Sequence, residues 1–400
     1  MALTGLLESS LKLILFGGKG GVGKTTCASS TGLYLANNNK NALLISTDPA
    51  HSLSDSLGQK IGDEIHPVRC LLSNGVKETE GIDKLSAIEI SAEKALSRFK
   101  IEYDDELRRL FDTSTYLDKE DIDSILSLPI PGIDEVMGFK TIVDLIEEGK
   151  FDKYIVDTAP TGHALRLLTL PELLDDWIKV VAKMRWKYRY MVTSFAGKYK
   201  PDSADDFLMT MKKTVKKIEG LLRDQSRCEF IIVTIPEDMA VKETERMIKS
   251  LDQYGMKVKQ MVINNVIPEQ VDCPFCQARR EEQYKYIGQI REKFSDFKIT
   301  VFPLQPHEVR GIDTLKNIGS MLFEGVFSNE TIMPTNRHKG GLTTVIPAPH
   351  QVRDKLQRES RRRPPYQVRG KLCDTCPCEN REQGTIQRKW IPHQVRNDIT

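Results

Sequence analysis

The sequence predicts an α/β fold in which a doubly wound, mostly parallel sheet carries an inserted α-helical subdomain. Short apolar runs alternate along the chain with segments of helical periodicity, which is typical of parallel strands joined by helices. The runs are continuously apolar rather than alternating, as suits strands covered on both faces. Nearly every run ends on a polar or special residue. Six runs meet this description: residues 13–16, 42–46, 154–156, 230–233, 261–263 and 299–302.

The first run leads into a glycine-rich segment that is typical of a phosphate-binding loop. Residues 18–25 read Gly-Lys-Gly-Gly-Val-Gly-Lys-Thr, which satisfies G-x-x-x-x-G-K-[ST] between a predicted strand and a predicted helix. Glycines let backbone N–H groups turn toward nucleotide phosphates, Lys24 reaches the β- and γ-phosphates, and Thr25 places a hydroxyl on Mg²⁺. An ordinary glycine-rich turn explains the combined pattern less well. The sequence therefore predicts a P-loop NTPase with ATP and Mg²⁺ as cofactors.

Two aspartates follow the second and third of the six runs. Because ligands bind beyond the carboxyl ends of parallel strands, we expect Asp48 and Asp157 to lie beside the phosphate loop. Asp48 could hold the attacking water in line with the γ-phosphate, and Asp157 takes the place of the acid that holds Mg²⁺, commonly through water. A buried helix cap is the alternative for Asp157. For His51 and Asp55, a polar turn that caps the next helix is an equal alternative.

Three motifs together resemble the arsenite-pump ATPase family, and most closely its branch that targets tail-anchored membrane proteins, especially the archaeal-type members. They are Gly-Gly-Lys-Gly-Gly-Val-Gly-Lys-Thr-Thr from Gly17, Ser-Thr-Asp-Pro-Ala-His from Ser46, and Asp-Thr-Ala-Pro-Thr-Gly-His from Asp157. The resemblance covers roughly residues 10–325. Lys19, inside the glycine run, is the mark of the deviant P-loop ATPases, which work as face-to-face dimers.

The resemblance implies a role for each matched residue. Lys19 would cross the interface of a homodimer to the other subunit's nucleotide, Asp48 would orient water, and Asp157 would sense Mg²⁺ and the γ-phosphate. Asn264 would contact adenine. Ser52 departs from the family, some members of which carry asparagine there, and this leaves contacts across the interface open. The residues that the motif and the resemblance assign to the nucleotide are Gly18, Gly20, Gly21, Val22, Gly23, Lys24, Thr25, Thr26, Glu237, Asn264 and Pro303, which opens the adenine-side loop.

Cys273 and Cys276 have the spacing of half a zinc site. Zinc takes four ligands in a tetrahedron, and this part of the sequence has no other nearby cysteine or histidine. A two-fold axis would supply the second pair from another copy, and the targeting branch shows the same C-x-x-C at the corresponding place. A reversible disulfide is the open alternative. The metal-like spacing of Cys373, Cys376 and Cys378 is interpreted as incidental because of its setting.

The composition indicates a cytosolic protein with a distinct C-terminal segment. The chain has 400 residues, of which 40% are hydrophobic, and a formal net charge of +2. No apolar run reaches the roughly 18 residues that a membrane span needs. Residues 331–400 hold 14 Lys+Arg against 6 Asp+Glu, leaving 44 against 50 for the 1–330 ATPase domain. This basic segment lacks periodicity and is expected to be disordered or non-native; a nucleic-acid partner is not expected.

Helical insertions that bind the client are predicted at about residues 92–128 and 165–225. The second contains apolar residues at spacings of three and four, with basic residues between them. Such a face, rich in methionine, suits a surface that accepts many apolar partners, whereas a stripe facing the core is a strong alternative. The apolar residues are Trp177, Val180, Val181, Met184, Tyr188, Met191, Met209 and Met211.

The resulting hypothesis, which the resemblance supplies, is an ATPase that works as a zinc-linked homodimer. ATP would close the dimer over the hydrophobic transmembrane segment of a tail-anchored client, and hydrolysis would release the client at a membrane receptor. The main alternative is the energising subunit of an arsenite efflux pump, a branch that binds arsenite through thiols in its helical region. No cysteine lies between Cys70 and Cys228, which disfavours the pump and the iron–sulfur reductases. The motif residues disfavour a non-enzymatic chaperone.

Overall fold

A computed structural model describes most of residues 3–325. The described range omits residues 4, 49–51, 70, 73–74, 77–81, 115–132, 159–177, 180–181, 184–185, 188, 196–197, 199–200 and 270–271. The chain divides into two units. One comprises Met1–Glu269 and Ala278–Pro334, and the other comprises Gln270–Gln277 and Thr335–Thr400, of which only residues 272–277 are described. The predicted boundary at residue 330 stays a prediction, as does the character of the segment beyond it.

The first unit contains an eight-stranded sheet that confirms the predicted fold class. Its strands are β1 (Leu13–Gly17), β2 (Ala42–Ser46), β3 (His66–Pro67), β6 (Leu85–Glu89), β7 (Lys153–Asp157), β8 (Cys228–Thr234), β9 (Gln260–Val266) and β10 (Lys298–Pro303); β4 (Leu71–Leu72) and β5 (Gly75–Val76) form a separate pair. The strand order is β10-β9-β8-β1-β7-β2-β6-β3. All pairings in this sheet are parallel except the one between β3 and β6. The six predicted runs are therefore six parallel neighbours.

The helices lie between these strands in the chain. They are α1 (Gly5–Glu8), α2 (Lys24–Asn37), α3 (Ser52–Leu57), α4 (Ala92–Glu102), α5 (Asp104–Ser114), α6 (Ile133–Glu148), α7 (Ser203–Arg223), α8 (Asp238–Gln253), α9 (Pro274–Lys293) and α10 (Ile312–Glu324). A short 3₁₀ turn at Ile82–Lys84 precedes β6. Within the part of the chain that the structure describes, no helix is both long enough and apolar enough to cross a membrane.

Both faces of the sheet are covered, as the continuously apolar strands predict. Along β1, Ile14 and Phe16 belong to one buried cluster, and Leu13 and Leu15 belong to another on the opposite face. This follows from the period of two along a strand, which sends successive side chains to opposite faces. Helices α2 and α10 contribute to the first cluster, whereas α6, α7, α8 and α9 contribute to the second.

A third buried cluster belongs to the inserted helices. It draws on α4, α5, α6 and α7 together with Ile178, and it is separate from the two clusters on the sheet. Phe99, Tyr103 and Phe207 form its aromatic centre, with ring centroids 5.1 to 6.1 Å apart. Residues 92–114 are two helices rather than one, because Tyr103 ends α4 before α5 begins. The predicted insertions thus share a core of their own.

Candidate active site

The loop between β1 and α2 is packed closely against two neighbouring strands. A Cβ atom on Gly18, whose φ is +152°, would lie 2.1 Å from the carbonyl oxygen of Val233. A Cβ atom on Gly23, whose φ is +94°, would lie 2.3 Å from the side-chain nitrogen of Asn264. Both positions therefore need glycine, since either side chain would push the loop away from β8 or β9. The sequence motif correctly predicts a strand, a tight loop and a helix in this order.

Lys24 is directed back onto its own loop. The side chain is 6% exposed, and its Nζ donates to the carbonyl oxygen of Lys19 at 3.2 Å. Burial lowers the pKa of Lys24, and the nearby carboxylates of Asp157 and Asp48 act in the opposite direction. An ammonium held at a glycine loop by two carboxylates is ready to exchange the Lys19 carbonyl for a phosphate oxygen, which is the stronger partner.

Asp157 lies at the centre of the site. Its Oδ2 accepts a hydrogen bond of 2.6 Å from the Thr25 hydroxyl, and the residue is fully buried. Its Oδ1 is also buried and has no hydrogen-bond partner among the described residues. Burial raises the pKa of Asp157 to about 7, against the effects of the Thr25 hydrogen bond and the Lys24 charge. A hydroxyl and a carboxylate supply the oxygen ligands that Mg²⁺ prefers, so the pair fits the predicted magnesium position.

Asp48 follows β2 and lies next to the same carboxyl ends. Its backbone N–H donates to the Ser46 hydroxyl at 3.2 Å, and the preceding Thr47 N–H donates to the Asp157 carbonyl at 3.1 Å. The hydroxyl of Ser52, at the start of α3, lies 3.4 Å from the Thr25 hydroxyl. The structure thus brings Asp48, Thr25 and Asp157 together as predicted. His51 lies outside the described residues.

The residues predicted for the base side of the nucleotide lie at the ends of β8, β9 and β10. Asn264 is 7% exposed and donates to the carbonyl oxygen of Val22 at 2.9 Å, so it braces the phosphate loop. Glu237 precedes α8 and forms an ion pair of 3.0 Å with Arg279. Pro303 is the buried last residue of β10. The contact of Asn264 with adenine stays a prediction.

Comparison with known proteins agrees with this geometry. A family model described as anion-transporting ATPase matches residues 11–324. The chain belongs to that family. An ATPase ASNA1 homolog 2 from Paramecium tetraurelia is 36% identical over 334 residues, which are 80% of this chain and 97% of that protein. An ATPase get3 from Pyrenophora tritici-repentis is 34% identical over 79% of this chain and 92% of its own, and an ATPase GET3C from Arabidopsis thaliana is 34% identical over 78% and 82%.

This family membership identifies the protein as an ATPase and confirms the resemblance stated from its motifs. The phosphate loop, Asp48 and Asp157 all lie within the matched range of residues 11–324. ATP is therefore the nucleotide for which the site is built. The separate role of each residue in the reaction stays a prediction.

The cysteines of the ATPase fall into two groups. Cys27 and Cys228 are buried, and burial raises the pKa of each thiol to about 12, which leaves no reactive thiolate at neutral pH. Cys273 is half-buried and precedes α9, whereas Cys276 is buried in its first turn. Among the described residues, no group of three or more His, Cys, Asp or Glu side chains is arranged to hold a metal ion. One chain thus offers a pair of thiols and no complete zinc site in that part.

The helical region of the ATPase presents apolar side chains on its surface. We define the apolar surface as Trp186, Tyr190, Met191 and Phe195, which are 65%, 66%, 44% and 88% exposed. Residues 186–187 and 189–195 are helical, and the rings of Trp186 and Tyr190 stack with centroids 6.0 Å apart. The other predicted residues divide as follows: Met209 is exposed, Met211 is buried in the helical core, and Trp177, Val180, Val181, Met184 and Tyr188 lie outside the described residues.

One buried acid at this edge of the sheet was missed by the sequence analysis. Glu89 ends β6, is 6% exposed, and lies in register with Ser46 of β2. The signal was present, because an acid at the end of an apolar run also singled out Asp157. Residues 85–89 contain a serine and only three apolar residues, so they were not recognised as a strand.

The raised pKa of Asp157 predicts a pH-dependent stability for the ATPase without nucleotide and Mg²⁺. The folded protein retains this proton from about pH 3.8 to about pH 7, whereas the unfolded chain loses it. Stability is therefore present below the lower value and is lost as the pH rises toward the upper one. A tenfold change in an acid dissociation constant is worth about 1.4 kcal/mol, so the loss could reach about 4 kcal/mol.

Asp157→Asn should remove this dependence, because asparagine does not ionise. We expect the wild-type free energy of unfolding to fall by a few kcal/mol relative to this variant between pH 4.5 and pH 8, measured by urea denaturation. Parallel pH profiles for the two proteins would contradict the assignment of a buried, proton-retaining carboxyl.

Proposed function

We propose that this ATPase binds the hydrophobic transmembrane segments of tail-anchored proteins in the cytosol and delivers them to a membrane receptor. The observation that carries the proposal is the apolar surface on the helical region. Large exposed apolar side chains grouped on one segment indicate a binding surface, since scattered single ones are ordinary but groups favour aggregation. The three motifs that resemble the targeting branch supply the class of client.

The energetics of such a client require a large apolar surface. A transmembrane helix of about 20 residues exposes on the order of 1,000 Å² of apolar area, worth tens of kcal/mol at about 25 cal/mol per Å² before ordering and association costs. Trp186, Tyr190, Met191 and Phe195 of one chain cover only a part of that area. A homodimer that brings together two copies of the apolar surface would cover more, and ATP binding would control when the two copies meet.

The proposed catalytic assignments use the geometry of the phosphate loop. Lys24 and the glycine backbone hold the phosphates, and Thr25 with Asp157 holds Mg²⁺, which neutralises charge on the phosphates when it is bound. Asp48 orients the attacking water. Lys19 reaches the nucleotide of the other subunit, which makes closure of the homodimer a condition for turnover.

A zinc site shared between two chains would join the homodimer. Cys273 and Cys276 lie at the start of α9 at the spacing of a zinc half-site. Two copies related by a two-fold axis would supply four thiolates, which is the ligand set of a structural zinc ion. The two thiols therefore fit zinc only as part of a dimer, and a reversible disulfide is the alternative use of the same pair.

An energising role in anion transport is the second candidate function, because the matching family is described as anion-transporting ATPase. The pump branch binds arsenite through thiols in its helical region. In this sequence no cysteine lies between Cys70 and Cys228, a range that includes most of that region. Stimulation of ATP hydrolysis by arsenite would favour the transport function, and an unchanged rate would favour targeting.

The catalytic assignment predicts different losses for two variants. Lys24→Ala should abolish measurable ATP binding, because it removes the cation that contacts the phosphates. Asp48→Asn should bind ATP with wild-type affinity but hydrolyse it on the order of 100-fold more slowly, because the water is no longer oriented. Affinity and steady-state turnover should be measured separately, and wild-type turnover by Asp48→Asn would refute the assignment.

The client-binding proposal predicts the effect of a charge on the apolar surface. Met191→Asp and Phe195→Asp should each abolish capture of a co-expressed tail-anchored protein, while the basal ATPase rate and the melting temperature stay within about 2-fold and 2 °C of wild type. Met239→Asp is the matched control, because Met239 is 61% exposed but lies on α8.

A pull-down of the soluble complex measures capture. If Met191→Asp and Phe195→Asp still capture the client at the wild-type level, the apolar surface is not the binding site. If Met239→Asp also loses capture, the effect comes from added charge in general rather than from the position of the charge.

The shared zinc site predicts a defined stoichiometry. The purified protein should contain about one zinc ion for every two chains, and Cys273→Ser should lose both the zinc and the dimer. Metal analysis and light scattering on the same samples provide the measurement. Cys228→Ser is the control, because this buried thiol lies outside the pair and should leave the zinc content unchanged. One zinc ion per chain, or a stable dimer without zinc, would contradict the shared site.

A further inference from the structure

The buried carboxylate of Glu89 holds the short helix α3. Oε1 of Glu89 accepts a hydrogen bond of 2.9 Å from the backbone N–H of Ser54, and Oε2 accepts one of 3.0 Å from the Ser54 hydroxyl. Both carboxylate oxygens therefore bind one residue of α3. This arrangement satisfies a charge that would otherwise be expensive to keep at 6% exposure.

The same two residues also fasten the chain that follows α3. The Ser54 hydroxyl oxygen accepts a hydrogen bond of 3.0 Å from the backbone N–H of Ile61. The backbone N–H of Glu89 donates to the carbonyl oxygen of Gly62 at 2.8 Å. Side chain and backbone of Glu89 thus fix both α3 and the turn that leaves it to the end of β6.

Helix α3 needs such contacts because it has only six residues. Isolated helices of this length are not stable in water, so packing and external hydrogen bonds must set its position. Leu53 and Leu57 bury its apolar side, with exposures of 0% and 3%. Two apolar contacts hold a helix against a core but leave it able to slide or rotate, whereas the paired hydrogen bonds to Glu89 fix its register.

The position of α3 matters for hydrolysis. Its first residue, Ser52, lies 3.4 Å from the Thr25 hydroxyl, which in turn donates to Asp157. Asp48 lies four residues before Ser52 in the same segment. A shift of α3 would therefore move Asp48 and Ser52 relative to Thr25, and a misplacement of about 1 Å in a reacting geometry can cost on the order of 100-fold in rate.

We propose that Glu89 is a positioning residue for ATP hydrolysis, which sets the place of Asp48 and Ser52 by fixing α3 through Ser54. The inference rests on the proposed role of Asp48. Glu89 acts on turnover rather than on ATP binding, because its contacts go to α3 and the following turn, whereas the phosphates are held by the loop that ends at Lys24 and Thr25.

Steady-state kinetics on three variants test this inference. Glu89→Gln presents a donating NH₂ group to one of two Ser54 donors, so we expect kcat to fall at least about tenfold with the KM for ATP within about threefold of wild type. Ser54→Ala keeps the backbone hydrogen bond and should lose less. Ser54→Thr restores a hydroxyl and should recover most of the activity that Ser54→Ala loses.

The double variant Glu89→Gln/Ser54→Ala supplies the coupling. If the two residues act through one contact, its kcat should be well above the value obtained by multiplying the two single losses. Independent, fully multiplicative losses would show that Glu89 does not act through Ser54 and would overturn the proposal.

A control for general destabilisation is available at the other end of the sheet. Lys153 begins β7, is 3% exposed, and donates to the carbonyl oxygens of Ser9 and Leu11 at 2.7 and 2.8 Å. Lys153→Met should lower the melting temperature and leave kcat unchanged, because Lys153 is four residues along the strand from Asp157, about 13 Å away.

The outcomes separate a positioning role from a structural one. If Glu89→Gln resembles Lys153→Met, with a lower melting temperature and an unchanged kcat, the inference is wrong; a rise in KM alone also overturns it. If Glu89→Gln does not fold, the comparison of Ser54→Ala with Ser54→Thr decides, and equal kcat values for these two overturn it. A slow Glu89→Gln beside a wild-type rate for Asp48→Asn would refute the proposed role of Asp48 while leaving α3 as the element that Glu89 positions.

Discussion

The 2.6 Å hydrogen bond from the Thr25 hydroxyl to Asp157 joins the phosphate loop to the end of β7, and the geometry of the site depends on it. A fully buried carboxyl is costly to ionise, and here the hydroxyl of Thr25 and the charge of Lys24 offset part of that cost. Asp157 lies in register with Phe16 of β1 and Ser46 of β2. Three parallel strands thus end at one carboxylate, so the residues that follow β1 and β2 must lie beside it.

Much of the sheet could be predicted because its parallel strands are covered on both faces. Each of the six predicted runs is a strand in the structure, extended by one to four residues. Strand β6 was not predicted, because Ser86 interrupts its apolar run, and β3 has only two residues, too few for any periodicity to appear. Their place at one edge of the sheet depends on pairing with β2 and β6, which is a tertiary property.

The candidate site divides in the same way. Phosphate chemistry fixes the spacing of Lys24 and Thr25 in sequence, so these residues could be recognised from the sequence. The hydrogen bond from Asn264 to Val22 depends on how β9 lies relative to β1, with β8 between them, and no local pattern contains that information. Met209 and Met211 show the same limit, since two residues of one helix face in different directions and only the packing of the helical core decides which of them is buried.

Helix α3 connects two segments that lie far apart in the chain. Its first residue contacts Thr25 of the phosphate loop, and the carbonyl oxygen of Ser56 near its other end accepts a hydrogen bond of 2.9 Å from the backbone N–H of Gly311. Gly311 ends the segment that follows Pro303 and begins α10. Six residues span both contacts, and a helix so short moves as a unit. A displacement at Gly311 therefore has to be accommodated either by breaking one of these hydrogen bonds or by moving Ser52 against Thr25, which couples the residues after β10 to the phosphate loop.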